Sequence, residues 1–297
     1  MSKQPPQSYN PSQQNPYPNA PVPISYGQLQ GMYMVQPGAA PVPPGAAVIW
    51  AELPQPIPGV PPGLEYLTQV DTMVIQQCFE VLELLTSWES KNKYSLKNAN
   101  GQQVYYAAEE SECCERQCCG SKRSFTIHIV DNFKREVITL HRPFKCCSNA
   151  FSCLASAIEW CADECTIESP PGNLIGKIVQ RATCCSTGFY VRDISGQEVF
   201  RIEGPCCCLL LGCQDKEFNI QSMNGHEVGA ITKKWGGCFR EAMTDADVFN
   251  VNFPMDLDVR MKALLLGATF LIDFVLFEKN NGNSNNFYYS SALLSAF

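Results

Sequence analysis

Histidine, charge and long apolar runs are all scarce in these 297 residues. The only three histidines are His128, His141 and His226, and the first two sit in strand-like runs. No Ser-His-Asp context, P-loop or GxGxxG after a strand accompanies them, so the sequence offers no machinery for hydrolysis, phosphoryl transfer or hydride transfer, and no enzyme is expected. Lys and Arg number 22 against 29 Asp and Glu, a net charge of −7, which argues against a general nucleic-acid binder because that needs a basic face. No apolar core of a signal peptide stands in residues 1–20, so the expected setting is cytosolic and reducing. The 17 cysteines then read as buried packers, metal ligands, redox groups or acylation sites rather than a disulfide framework.

What is present divides sharply. Residues 1–63 hold 16 of the 21 prolines and two charges, Lys3 and Glu52. Proline without apolar periodicity supports neither helix nor sheet ladder, so this segment is expected to be a disordered, polyproline-rich tail. Pro18 to Pro21 and Pro41 to Pro44 have PxxP spacing, which fits SH3 or WW partners and equally a solvated spacer. Residues 64–279 have globular composition, and residues 280–297 form a polar, Asn-rich tail. The type of element over residues 64–90 stays open, since helical and strand-like spacings mix there.

A repeat follows. An aromatic residue stands seven before a glycine, and a valine three after it, in Tyr94/Gly101/Val104, Phe189/Gly196/Val199 and Phe218/Gly225/Val228. A looser copy is Phe125, Ile127 and Val137, with Lys134 at the glycine position. Period-two alternation around Asn-Gly and Ser-Gly turns reads as a β-hairpin used four times, hence a barrel or sandwich.

The last apolar run, residues 263–277, is 15 residues long and contains Asp273. A spanning helix needs about 20. A carboxylate at bilayer depth costs roughly 2.5–3.5 kcal/mol on insertion scales. The preferred reading is a helix threaded through the β-structure, marked by Lys262, Gly267, Asp273 and Phe277, with Asp273 hydrogen-bonded or near an end. A short membrane-inserting helix is the alternative.

Five segments carry a resemblance: "PPGLEYL" at 61–67, "GQQVYYAAEES" at 101–111, "REVITLHRPF" at 135–144, "FREAMTDAD" at 239–247 and "NFPMDLDVRMKALLLGATFLIDFVLFE" at 252–278. In this order they resemble the phospholipid scramblase family. The resemblance implies a tubby-type fold, a closed antiparallel barrel around a central hydrophobic helix. It also implies calcium-dependent, ATP-independent, bidirectional movement of phospholipids, with palmitoylation at the cytoplasmic face of the plasma membrane. Two other readings are carried: a lipid-anchored binding module whose tail recruits SH3 or WW domains, and, by analogy with tubby-type proteins, a nuclear regulator.

The same resemblance places Ca²⁺ on residues 245–256, "DADVFNVNFPMD". Against a twelve-residue calcium loop, Asp245, Asp247 and Asp256 fall at positions 1, 3 and 12, with Asp258 just beyond, while Phe249 and Phe253 stand where oxygens belong. Helix or turn capping is the alternative role for Asp245 and Asp247. Acylation falls on Cys146, Cys147 and Cys153, beside Phe144 and Phe151. The clusters Cys113/Cys114/Cys118/Cys119 and Cys206/Cys207/Cys208/Cys213 could supply zinc ligands, but adjacent cysteines point oppositely along a strand and make poor CxxC substitutes. Lys233 and Lys234, before Trp235, read as a solvated hairpin end rather than a nuclear-import signal.

Overall fold

The computed structural model describes residues 48–52, 54–78, 92–112, 119, 123–145, 162–181, 186–206, 210, 214–235 and 247–278. Their strands are β1 (Thr72–Cys78), β2 (Lys93–Asn98), β3 (Gln103–Glu110), β4 (Phe125–Val130), β5 (Glu136–Arg142) and β6 (Glu164–Glu168). Then come β7 (Leu174–Arg181), β8 (Ser186–Asp193), β9 (Glu198–Cys206), β10 (Lys216–Ser222), β11 (Glu227–Lys234) and β12 (Val248–Asn252). Each strand pairs with its neighbours in sequence, and β1 pairs with β12, closing an antiparallel barrel. Closure leaves no strand edge unpaired. Helix α1 (Val259–Ile272) fills the lumen and ends in a π-helical turn, Asp273–Phe277.

The repeat is the barrel wall. Tyr94, Phe125, Phe189 and Phe218 all point inward and are buried. Gly101, Gly196 and Gly225 have φ of 77°, 81° and 82°, and Lys134 is the non-glycine residue among those described with positive φ, at 62°. All four turns share one scheme in which a short polar side chain holds the turn's amides. Asn98 Oδ1 accepts from the N–H of Asn100 and Gln102, Asp131 Oδ1 from Phe133 and Arg135, and Asp193 Oδ1 from Ser195 and Gln197. Ser222 Oγ accepts from His226 N–H. The Ser195 hydroxyl also donates to Asp193 Oδ1 at 2.6 Å, and this bond contributes most to holding the exposed Asp193 carboxyl below its usual range, the turn amides adding to it. A fifth hairpin, β6–β7, turns on Pro170-Pro171-Gly172-Asn173 and escapes the repeat pattern.

Residues 64–90 resolve in part into a 3₁₀ turn, Glu65–Gln69, followed by β1. The barrel domain also begins before Leu64. Ala51 N–H donates to Gln103 O, and the Trp50 ring meets Tyr106 edge-on at 5.3 Å. Trp50 supplies apolar surface that a tail ending at residue 63 would leave unused. Residues 1–47 and 279–297 lie outside the described residues.

Helix α1 is apolar on all sides because the barrel surrounds it. Ala263 through Ile272 are buried without interruption. Asp258 caps its N-terminus, its carboxylate accepting from Arg260 N–H at 2.8 Å. At Gly267 a Cβ would lie 2.2 Å from Ile167 Cδ1 and 2.9 Å from Ile167 Cγ1, so the glycine sets how closely the helix approaches β6. At Gly176 on β7 a Cβ would lie 2.3 Å from Arg192 O and 3.0 Å from both methyls of Leu264. Among the described residues no helix is long and apolar enough to cross a membrane.

Candidate functional site

The barrel places charge at both ends of its buried helix. At the helix start, Lys262 is fully buried, yet its ammonium donates to Leu67 O and Val70 O at 2.8 Å and to Met255 O at 2.7 Å. Three donors meet three carbonyls, and the group lies 5.1 Å from the Phe253 ring centroid. Burial lowers its pKa, opposed by Asp71 and Asp256. Lys262 therefore ties the 3₁₀ turn, the entry to β1 and the β12–α1 connection to the first turn of the helix.

At the helix exit the apolar run meets a charged cluster. Asp273 accepts a hydrogen bond from Tyr94 Oη at 3.0 Å. Burial, then the neighbouring Asp247 carboxylate, push the Asp273 carboxyl up to about 8, so at neutral pH it is protonated and hydrogen-bonds Asp247. Lys233 pairs with Asp247 at 2.7 Å and sits 4.0 Å over the Phe277 ring. Alongside, Arg123 pairs with Glu109 at 2.7 Å and Glu278 at 2.8 Å, and its guanidinium lies 5.2 Å from the Phe274 ring centroid. Asn92 Nδ2 donates to the second Glu109 oxygen at 2.6 Å. Phe274 stacks on Phe125 at 4.1 Å. Arg142 and Asp163 form a further buried pair at the same end.

The expected calcium segment is not folded as a loop. Residues 248–252 are β12, laddered to β1 (Gln76↔Val248 through Thr72↔Asn252) and to β11 (Lys234↔Val248 through Ala230↔Asn252). Phe249 and Val251 point into the core. An extended strand of five residues spans roughly 17 Å, so Asp247 stands at one end of the barrel and Asp256 and Asp258 at the other. The structure does not bring them together. Asp247 is occupied by Lys233 and Asp273, and Asp258 is the helix cap. The physical reason is alternation: Phe249, Val251 and Phe253 need the barrel interior, and only a strand puts all three there. Among the described residues no group of three or more His, Cys, Asp or Glu side chains is placed to hold a metal. Those residues do not fit a calcium cage. Asp245 lies outside the described residues.

Cys146, Cys147 and Cys153, expected to carry acyl chains, also lie outside the described residues, as do Cys113, Cys114, Cys118, Cys207, Cys208 and Cys213. The flank before them is seen: Phe144 is exposed, and Lys145 pairs with Glu164 at 3.1 Å. Cys165 is a buried packer. Burial pushes its thiol up to about 12, which removes the thiolate that acylation or metal binding needs. Lys234 pairs with Asp215 at 2.8 Å, and Lys233 belongs to the helix-exit cluster rather than to a solvated end. Glu109 and Arg123 are charged-end residues that the sequence does not single out, and Tyr94 and Lys233 stand out in it only as a repeat aromatic and a hairpin end. The available signal is a polar residue at an inward strand position, as in Glu109 at the end of "VYYAAEE".

The family model described as Scramblase matches residues 51–279. Phospholipid scramblase 1 of Homo sapiens is 47% identical over 234 residues, covering 78% of this chain and 71% of that protein. Phospholipid scramblase 2 of Bos taurus is 46% identical over 242 residues, 80% of each chain, and phospholipid scramblase 4 of Homo sapiens is 36% identical over 277 residues, 92% of this chain and 80% of that protein. No solved structure matches the chain.

Proposed function

This chain belongs to the phospholipid scramblase family, and from that premise we propose that it moves phospholipids in both directions between bilayer leaflets, without ATP and in response to calcium, from the cytoplasmic face of the plasma membrane. The observation that carries the reading is the family match, which spans residues 51–279 and so the whole barrel with its helix. The lumen is packed by α1, with Leu264, Leu265, Leu266 and Phe270 buried, so it offers a lipid no passage. Lipid movement is accordingly assigned to the outer surface of the barrel against the bilayer. The calcium response is what the family resemblance implies.

The test is reconstitution of the full chain into vesicles carrying fluorescent phospholipid, with an impermeant quencher outside. Calcium should expose inner-leaflet label to the quencher, chelator should prevent it, and ATP should change nothing. Quenching confined to the outer leaflet with calcium present would overturn the reading.

The packed lumen favours a second reading, a membrane-associated adaptor. Here Cys146, Cys147 and Cys153 carry acyl chains and the Pro-rich residues 1–63 recruit SH3 or WW domains. Two membrane signals are needed for stable anchoring, so loss of acyl label from a Cys146/Cys147 double variant should release the protein from membranes. Retained hydroxylamine-sensitive label would remove these two sites.

A further inference from the structure

The end of the barrel where α1 begins has six connections: the five hairpin turns β2–β3, β4–β5, β6–β7, β8–β9 and β10–β11, and the link from β12 to α1. Five of the six present a large apolar side chain to solvent. They are Phe133, Leu174, Ile194, Met223 and Met255, exposed by 48%, 42%, 70%, 49% and 49%. The packed interior has no use for these side chains, and a turn apex ordinarily carries a polar residue. Four of the five stand on or beside stiff hairpin turns, pinned by a positive-φ residue at Lys134, Gly172, Gly196 or Gly225. Polar residues such as Asn132, Ser195 and Asn224 separate the apolar ones, so they make a ring of points rather than a continuous patch.

The charges among these turns are largely matched. Arg135 pairs with Asp131 at 2.7 Å, Arg192 with Glu198 at 2.9 Å, and Arg260 approaches Asp258 at 4.0 Å. Among the described residues of this end no basic belt is built that would recruit anionic surfaces by charge. A protein partner needs a contiguous, complementary core of contact. Separated apolar points on rigid turns suit a fluid interface that closes around each of them.

We propose that this end of the barrel is a membrane-docking surface, its five apolar apexes entering the headgroup–acyl boundary of a phospholipid bilayer while α1 stays inside the barrel. The proposal rests on the reading of the chain as a phospholipid-handling protein. It adds which face meets the lipid and what drives the contact. Docking is apolar, so it needs neither anionic lipid nor low salt.

The test uses the full chain and neutral phosphatidylcholine vesicles in a flotation assay. The triple variant Phe133→Ser, Ile194→Ser, Met223→Ser should lose about tenfold or more in partitioning, at an unchanged melting temperature. Raising salt should leave the parent's partitioning within about twofold. Separately, Ile194→Trp should add indole fluorescence that shifts to the blue and is quenched by brominated acyl chains. Partitioning of the triple variant within about twofold of the parent would overturn the proposal. So would an Ile194→Trp indole that stays unquenched while the protein floats. Concentration-dependent self-association without vesicles that the triple variant abolishes would reassign the ring to a second copy of the chain. Scrambling by a protein whose apexes stay unquenched would sink the docking face and keep the proposed function. Quenched apexes without scrambling would do the reverse.

Discussion

The two ends of the barrel are built on opposite principles. The end where α1 begins is closed by short turns whose geometry is local, with one long-range tie, the Lys262 ammonium on the backbone carbonyls of Leu67 and Val70. The end where α1 stops is held by charged groups from distant parts of the chain, Arg123 with Glu109 and Glu278, Lys233 with Asp247, and Asp273 with Tyr94. Cysteine follows the same divide. All 17 cysteines lie in the stretches joining β1 to β2, β3 to β4, β5 to β6, β7 to β8, β9 to β10 and β11 to β12, or on strand residues flanking them, and none lies in the turns of the other end. The difference separates roles: one end is fixed largely by backbone chemistry and free to present apolar apexes, and the other concentrates ionisable groups.

The largest effect should come from breaking the charged end. Arg123→Met leaves Glu109, fully buried, without its cation, and should cost about 3–5 kcal/mol in chemical denaturation. A loss under about 1 kcal/mol would mean that Asn92 and Ser111 suffice for Glu109, and the end would not depend on its ion pairs.

The next effect depends on pH. The folded-state pKa of Asp273 is raised to about 8, above its unfolded value, so the native protein takes up a proton that the unfolded chain lacks. The favourable protonated pairing is fully present below pH about 4 and is lost as pH rises through about 8. Asp273→Asn imitates the protonated group: its carboxamide can accept from Tyr94 and donate to Asp247. The variant should match the parent near pH 4 and exceed it by roughly 4 kcal/mol at pH 7, with the slope of melting temperature against pH reduced. Equal slopes in variant and parent would show that Asp273 is not the group that sets this end's pH response.

The same contrast explains what the sequence makes legible. The hairpins β2–β3, β4–β5, β8–β9 and β10–β11 can be read because each is settled within about a dozen residues by alternation and one turn residue. The buried helix can be read because 15 apolar residues with Asp273 inside are too short and too polar to span a bilayer comfortably. Hairpin β6–β7 is missed because Pro170-Pro171-Gly172-Asn173 replaces the Asn-Gly signature. The charged end is illegible for a different reason. The Tyr94–Asp273 contact joins residues 179 apart, and no local pattern encodes that closure. The family resemblance implies a calcium loop at residues 245–256, yet Phe249, Val251 and Phe253 carry the alternation of a strand, and their burial puts residues 248–252 in the barrel wall.

The smallest effects belong to the turn end and run in opposite directions. Gly196 and Lys134 occupy equivalent turn positions with φ of 81° and 62°. A Cβ at Gly196 would meet nothing within 4 Å, so Gly196→Ala tests backbone strain alone and should cost about 1 kcal/mol. Lys134 already bears that strain, and Lys134→Gly should relieve it. Part of the gain returns as the greater entropy of an unfolded glycine, leaving a net stabilisation of about 0.5 kcal/mol. Thermal denaturation of both variants reads the pair together. Opposite signs would confirm that this end is governed by the conformation of single turn residues. A destabilised Lys134→Gly would mean that the lysine side chain itself holds the β4–β5 turn, and the division between a backbone-built end and a side-chain-built end would fail at that hairpin.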